Sequence, residues 1–220
     1  MTDNVGAIIV AAGSATRMAG ADKIFAPLAD TPIIAHTLRA FEESRLVSLI
    51  VLVLAPERLD DGRAVSGRKV TAVVAGGSRR QDSVRLGLEA LGECEYVLVH
   101  DGPRPFVTSD LIKRAIEAAR ENGAAVPAVP VTDTIKEAGE DGLVARTLDR
   151  SRLHAIQTPQ AFRRDILVRA HAEVAADVTD DAAMVEALGI PVRIFEGDPR
   201  NIKITTPEDL RLAEAMLECE

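Results

Sequence analysis

Gly6-Ala-Ile-Ile-Val-Ala-Ala-Gly-Ser-Ala-Thr-Arg-Met18, followed five residues later by Lys23, decides the fold class. Ile8, Ile9 and Val10 form the short apolar run of an interior parallel strand. Gly13, Ser14, Ala15 and Thr16 then leave the backbone unobstructed, and bare N–H groups in such a turn cradle phosphate oxygens. Arg17 and Lys23 put full positive charge beside it. A chain that opens this way is expected to handle a nucleoside triphosphate. The turn has neither Gly-x-Gly-x-x-Gly nor the Gly-Lys-Ser/Thr close of a Walker A loop. Taken alone, a tight turn with surface cations explains it equally well.

Outward from this stretch, strands and helices alternate. Val5–Ala12 reads as the first strand. Pro32–Glu43 reads as a helix, with Thr31 as its N-cap and Pro32 in the first helical position. Ser48–Ala55, Val70–Ala75, Tyr96–His100 and Ala124–Val129 read as further strands, with helices over Gln81–Leu91 and Ser109–Asn122. Gly123 is the stop of the latter. Near-continuous apolar strands alternating with helices predict an α/β protein with a mainly parallel sheet, covered on both faces. Ligands of such sheets sit beyond the carboxyl ends of the strands. The turns at Gly13, Gly76-Gly77 and Asp101 each follow a strand, so they should share one edge.

From Pro130 to Pro159 the pattern changes. Two short strands around Gly139–Gly142 predict a protruding β-arm, at about 131–158, with too little apolar surface to stand alone. A second subunit is its expected support. Arg163–Ala176 and Asp180–Leu188 read as helices, Val192–Phe195 as a strand and Glu208–Leu217 as the closing helix. The whole of 1–220 is expected to form a single domain.

Of the 220 residues, 47% are hydrophobic but only 3% aromatic, so the core is aliphatic. Few aromatics and a net charge of −8 argue against a nucleic-acid partner. Cys94 and Cys219 show neither metal spacing nor a disulfide framework. No run is long enough to cross a membrane, and the start lacks the charged and apolar regions of a signal peptide. A soluble cytoplasmic protein is expected.

Three further clusters carry chemistry. His100-Asp-Gly-Pro-Arg-Pro105 puts Asp101 at the mouth of a buried strand, where a carboxylate can hold Mg²⁺ shared with substrate phosphates. Arg104 offers a planar fork for a phosphate; the plain alternative is a proline-stiffened turn with an Asp–Arg pair. His100 points to the opposite side from Asp101 and is read as structural. His36, His154 and His171 lack ligand spacing. In Gly76-Gly-Ser-Arg-Arg-Gln-Asp-Ser83, the glycines admit a planar ligand and Ser83 can read a pyrimidine edge; a loop leading into a helix is the alternative. In Asn201-Ile-Lys203, Lys203 is read as lying on a short strand, opposite Ile202 and Ile204, facing a cleft or solvent. Thr206 before Pro207 is a helix N-cap. Thr179-Asp-Asp181 is read as an N-cap with a negative first turn matched to the helix dipole.

These clusters, with Asp133-Thr134, Asp149-Arg150 and Gln157-Thr-Pro-Gln160, resemble the 2-C-methyl-D-erythritol 4-phosphate cytidylyltransferase family over nearly the whole chain. Two places depart from its pattern: Asp22-Lys-Ile24 where Pro-Lys-Gln is usual, and Pro103 where Ala is usual. The resemblance implies a Rossmann-like domain whose β-arm interlocks with that of a second copy in a homodimer. It implies transfer of CMP from CTP to a methylerythritol phosphate, with release of pyrophosphate, in the non-mevalonate route to isoprenoids. Arg17, Lys23 and Lys203 are then the catalytic cations. Ala11, Ala12, Gly13, Ser14, Gly76, Gly77, Ser83 and Asp101 line the nucleotide site. Asp101, Arg104 and Thr158, with Thr134 and Arg150 of the partner's arm, bind the acceptor, and Asp101 holds Mg²⁺. A ribitol-5-phosphate cytidylyltransferase, or a nucleotide-binding regulatory subunit without activity, are the alternatives.

Overall fold

The computed structural model describes residues 4–13 and 24–218. Arg17 and Lys23, with Ser14, lie outside the described residues, as does Cys219. The chain runs from β1 (Val5–Ala11) through the short strands β2 (Pro27–Leu28) and β3 (Thr31–Pro32) into α1 (Ile33–Glu43). β4 (Val47–Leu54), α2 (Leu59–Val65), β5 (Val70–Ala75), α3 (Arg80–Ala90), β6 (Tyr96–Asp101), α4 (Ser109–Asn122) and β7 (Ala124–Pro130) follow. Two arm strands, β8 (Lys136–Ala138) and β9 (Val144–Thr147), precede β10 (His154–Ile156) and β11 (Gln160–Arg163). α5 (Arg164–Glu173), α6 (Asp181–Ala187), β12 (Arg193–Glu196) and α7 (Pro207–Glu218) close the chain.

The main sheet has the order β10-β7-β11-β6-β1-β4-β5, with β12 also on β7. β1 pairs parallel with β4 and β6, β4 with β5, and β7 with β12. β11 alone is antiparallel to both its neighbours, β6 and β7. β1 shows why the sheet must be covered twice. Val5, Ala7, Ile9 and Ala11 enter a core with Ile34, Leu38 and Phe41 of α1 and Leu111, Ile112 and Ile116 of α4. Ile8 and Val10 enter another, with Val84 and Leu88 of α3, Leu167 of α5 and Val185 of α6. Alternate side chains feed opposite layers, as a strand's period of two demands. α4 is capped as its sequence suggests: the Thr108 hydroxyl accepts from Leu111 N, and Gly123 closes the helix at φ 81°. Thr206 likewise accepts from Asp209 N at 3.2 Å, while the Asp209 carboxylate accepts from Thr206 N at 2.9 Å.

Four expectations are corrected. Thr31 is no N-cap: Thr31 and Pro32 pair with Pro27 and Leu28 across a turn in which Ala29 and Asp30 both have positive φ. Helix α1 therefore starts at Ile33, without a side-chain cap. The arm proper ends at Thr147, and 154–156 belong to the main sheet. Gln160–Arg163 is a strand that delays α5 to Arg164. The segment around Lys203 is irregular rather than a strand. Asp180 caps α6 through Ala183 N and Asp181 stands in its first turn, as expected, but the Asp181 side chain is fully buried. The arm strands themselves are as expected, exposed throughout, with Leu143 69% and Val144 62% solvent-accessible.

Candidate active site

Segments that follow β1, β5 and β6 meet at the carboxyl edge of these strands. They enclose a cleft of about 340 Å³ lined by Ala11, Ala12 and Gly13, by Gly77, Ser78, Arg79, Arg80 and Ser83, and by Asp101 and Lys203. The close approach of the first two turns requires glycine. A Cβ on Gly76 would lie 2.2 Å from Ala12 Cβ, and one on Gly77 would lie 2.4 Å from Asp82 Cβ. The Ser83 hydroxyl pins this loop, accepting from Gly77 N at 3.1 Å and donating to Arg79 O at 3.2 Å. The start of α3 is held by Asp82. Its carboxylate accepts from Arg79 N at 3.1 Å and pairs with the Arg79 guanidinium at 2.8 Å. That hydrogen bond with Arg79 holds the Asp82 carboxyl well below the usual carboxylate range.

Asp101, the last residue of β6, is the electrostatic centre. Lys203 Nζ lies 2.8 Å from its carboxylate, Arg80 Nε 3.4 Å and Arg104 Nε 3.7 Å. Burial alone would raise its pKa, but Arg80, Lys203 and Arg104 overcome burial and hold it below the usual range. Asp101 is therefore ionised at neutral pH.

The loop bearing Asp101 is fixed from behind. Gly102 N donates to Val10 O at 2.8 Å, and the Thr37 hydroxyl donates to Gly102 O at 2.7 Å. Thr158 Oγ1 accepts from Asp101 N at 3.1 Å and lies 3.0 Å from His100 Nδ1. His100 Nε2 lies 3.2 Å from Arg104 O, a pure acceptor, so Nε2 carries the proton and Nδ1 accepts from Thr158. Burial pushes the His100 pKa down to about 3, which keeps this neutral tautomer. His100 is structural, as its strand position suggests.

Lys203 reaches Asp101 because its segment is clamped. Ile204 N donates to Pro103 O at 2.8 Å, and the Ile204 side chain is buried with Leu28, Ile33 and Ala213. Arg104 Nη1 donates to Asn201 O, and Asn201 Nδ2 to Thr158 O, at 2.7 and 2.8 Å. Gln157 Nε2 donates to Asp198 O at 2.8 Å, and its Oε1 accepts from Asp198 N at 3.1 Å.

The structure thus brings together Ala11, Ala12, Gly13, Gly76, Gly77, Ser83, Asp101 and Lys203. It sets Arg104 and Thr158 behind the cleft, where their polar atoms bind Asn201, Asp101 and His100. Thr134 and Arg150 are exposed, and Arg150 Nη1 donates to Thr132 O at 2.7 Å, within the arm region. Neither lines the cleft. Sequence reasoning missed Arg80 and its partner Asp181, 2.6 Å apart, and His171, 3.2 Å from the other Asp181 oxygen. The Arg80–Asp181 pair spans 101 positions, and no local pattern could have joined it. Among the described residues no three His, Cys, Asp or Glu side chains converge as a metal cage, and no helix is long and apolar enough to cross a membrane.

Glycine-lined turns and cations at the carboxyl edge of a doubly covered sheet define the class of protein, a nucleotidyltransferase. The family model for 2-C-methyl-D-erythritol 4-phosphate cytidylyltransferase matches residues 5–219. A protein of that name from Dehalococcoides mccartyi strain CBDB1 is 51% identical, over 99% of this chain and 97% of its own. One from Symbiobacterium thermophilum is 48% identical over 98% and 94%. The crystal structure of 4-diphosphocytidyl-2C-methyl-D-erythritol synthase from Anaerococcus prevotii superimposes with a TM-score of 0.89 at 30% identity, covering 99% of this chain and 97% of that one. The Thermus thermophilus cytidylyltransferase superimposes at 0.80 with 37% identity, covering 99% and 100%. This chain belongs to the 2-C-methyl-D-erythritol 4-phosphate cytidylyltransferase family.

Proposed function

We propose that the protein transfers CMP from CTP to 2-C-methyl-D-erythritol 4-phosphate, releasing pyrophosphate, as a step of isoprenoid biosynthesis in the cytoplasm. The observation that carries this is the cleft itself. An ionised Asp101 and Lys203 stand 2.8 Å apart, opposite the glycine-lined turns of β1 and β5. An acceptor phosphate oxygen attacks the α-phosphorus of CTP in line. Two anions must meet, and each like-charge pair a few ångströms apart costs about 4 kcal/mol at an effective dielectric of about 20. Lys203, with Arg17 and Lys23 of the opening loop, offsets that repulsion and stabilises the leaving pyrophosphate. Backbone around Ala11–Gly13, with Ser14, receives the phosphates, while Gly76, Gly77 and Ser83 receive the base.

Asp101 suits Mg²⁺. Such an ion takes one or two carboxylates and completes its shell with phosphates and water, so a single ionised carboxylate opening on the cleft is a sufficient protein donor. Bound there, the ion would screen triphosphate charge. The acceptor brings a phosphate of its own, and Arg150 supplies a further cation for it. Thr134 and Arg150 reach it from a second copy in a homodimer joined through the arms, and the chain forms one nucleotidyltransferase domain from which the arm projects. Arg104 and Thr158 support the acceptor side from behind Asp101.

Pyrophosphate release measured with each of four nucleoside triphosphates against methylerythritol phosphate and ribitol 5-phosphate tests this. Turnover is expected with CTP and methylerythritol phosphate, in the presence of Mg²⁺. Preference for ribitol phosphate, or for another nucleotide, overturns the assignment, and no release in any combination favours a binding subunit.

A further inference from the structure

Arg80 opens α3 at the wall of the cleft and stands between two carboxylates. Its Nη1 donates to Asp181 at 2.6 Å, whereas its Nε is 3.4 Å from Asp101. Its Nη2 is buried without a hydrogen-bond partner. The guanidinium is therefore drawn to the remote carboxylate and only loosely engaged with the near one, although a planar fork on a carboxylate ordinarily forms two parallel bonds. Asp181 can pull this way because it cannot turn. Its side chain is fully buried, one oxygen holds Arg80, and the other accepts from His171 Nε2 at 3.2 Å. Its backbone is fixed as well. The Asp180 carboxylate caps α6 at Ala183 N, and Gln160 ties Asp180 and Ala182 N to β11, at 2.7 and 3.2 Å. Burial opposes the charge on Asp181, but Arg80 and His171 hold its pKa below the usual range.

We propose that Asp181 is a positioning residue: by holding Arg80 away from Asp101, it keeps the Asp101 carboxylate open to the divalent cation that accompanies the nucleoside triphosphate. This rests on the function proposed above. Without the Asp181 charge, nothing on the far side balances the guanidinium, and it closes on Asp101. Lys203 and, at 3.7 Å, Arg104 face one Asp101 oxygen, and Arg80 Nε stands 3.4 Å from the other; drawn in to a full two-bonded fork, Arg80 would close that second oxygen to a cation.

The test is Mn²⁺ binding, followed by electron paramagnetic resonance with and without CTP, in the full-length protein. Asp181→Asn keeps the volume and an acceptor for His171 but loses the charge. It should weaken Mn²⁺ affinity by about tenfold, the loss typical when a group supporting a metal ligand is altered. The Mg²⁺ concentration for half-maximal turnover should rise in step, with high Mg²⁺ restoring kcat. In an Arg80→Met background, Asp181→Asn should have no further effect on Mn²⁺ affinity, because the group it restrains is gone. An equal loss in both backgrounds, or unchanged Mn²⁺ affinity in a folded single variant, overturns the proposal. Should Asp181→Asn fail to fold, His171→Asn frees one Asp181 oxygen and should shift Mn²⁺ affinity in the same direction; an unchanged affinity there is equally fatal. Mn²⁺ binding needs no turnover, so a wild type that binds Mn²⁺ but releases no pyrophosphate condemns the proposed reaction and leaves Asp181 to be judged by its own variants.

Discussion

At the scale of single residues, His100 and Asp101 are neighbours on one strand with opposite ionisation problems. The buried imidazole stays neutral because its pKa is pushed down to about 3 by burial. An unfolded histidine titrates near pH 6.5. Between these values the unfolded chain binds more protons than the folded one, so stability rises with pH across the window and is lost on acidification. The loss from this residue is about 1.4 kcal/mol per pH unit below about pH 6.5. Asp101 and Asp181 have lowered pKa values, and their contribution is present above the ordinary carboxylate range and fades only below about pH 3.9. Urea unfolding of metal-free protein at several pH values between 4.5 and 7 separates the two. The wild type should lose stability faster than His100→Gln as pH falls, and parallel slopes would show that the imidazole is not held neutral. The strand's alternation already marked His100 as inward and Asp101 as facing the ligand edge. Asp181 was legible only as the start of a helix. Its sequence neighbours describe the cap that Asp180 makes, and nothing local reports an arginine on another helix.

Elements were legible in proportion to how local their causes are. The inner parallel strands β1, β4 and β6 announce themselves as apolar runs because both their faces are buried over most of their length. Gln160–Arg163 does not: it is short, antiparallel and runs directly into α5. Between β10 and β11 the pairing with β7 slips, since Ile156 faces Ala128 while Ala161 faces Ala125. At that slip Gln157 keeps one backbone bond to β7, from its N to Pro127 O at 2.8 Å, while its side chain and that of Thr158 make the clamps described above. Lys203 lines the cleft beside Asp101 while Ile204 is buried, but Ile202 is only partly buried and no strand holds the segment. The clamp around Asp198 and Asn201 does that work, so it should matter to catalysis as well as to stability. Gln157→Leu removes both bonds to the Asp198 backbone. It should cost about 1–3 kcal/mol in denaturant unfolding. It should also lower kcat by about ten- to a hundredfold, because small displacements of a positioned group are costly. KM for CTP should move less, since the glycine turns are untouched. A fully active variant with the stability loss alone would show that Lys203 needs no clamp.

At the scale of the whole molecule, the arm residues proposed to bind the acceptor lie apart from the cleft of their own chain. Asp101 and Lys203 line the cleft, while Arg150 and Thr134 lie in the arm region, with Arg150 tied to Thr132. The arm strands bury no side chain, and among the described residues nothing covers Leu143 and Val144 at the tip. If each cleft is completed by the other copy's arm, two inactive variants can repair one another. Lys203→Ala spoils a cleft and leaves its arm intact; Arg150→Ala spoils an arm and leaves its cleft intact. In a mixed dimer, the Arg150→Ala cleft meets an intact arm and the second site loses both. Random exchange makes half the dimers mixed, each with one sound site, so an equimolar mixture should recover about a quarter of wild-type activity under two-fold pairing. Chains that carry complete sites cannot do this, and their mixture would give only the average of the two parents. Recovery should also require subunit exchange, appearing after dilution and re-concentration and not immediately on mixing.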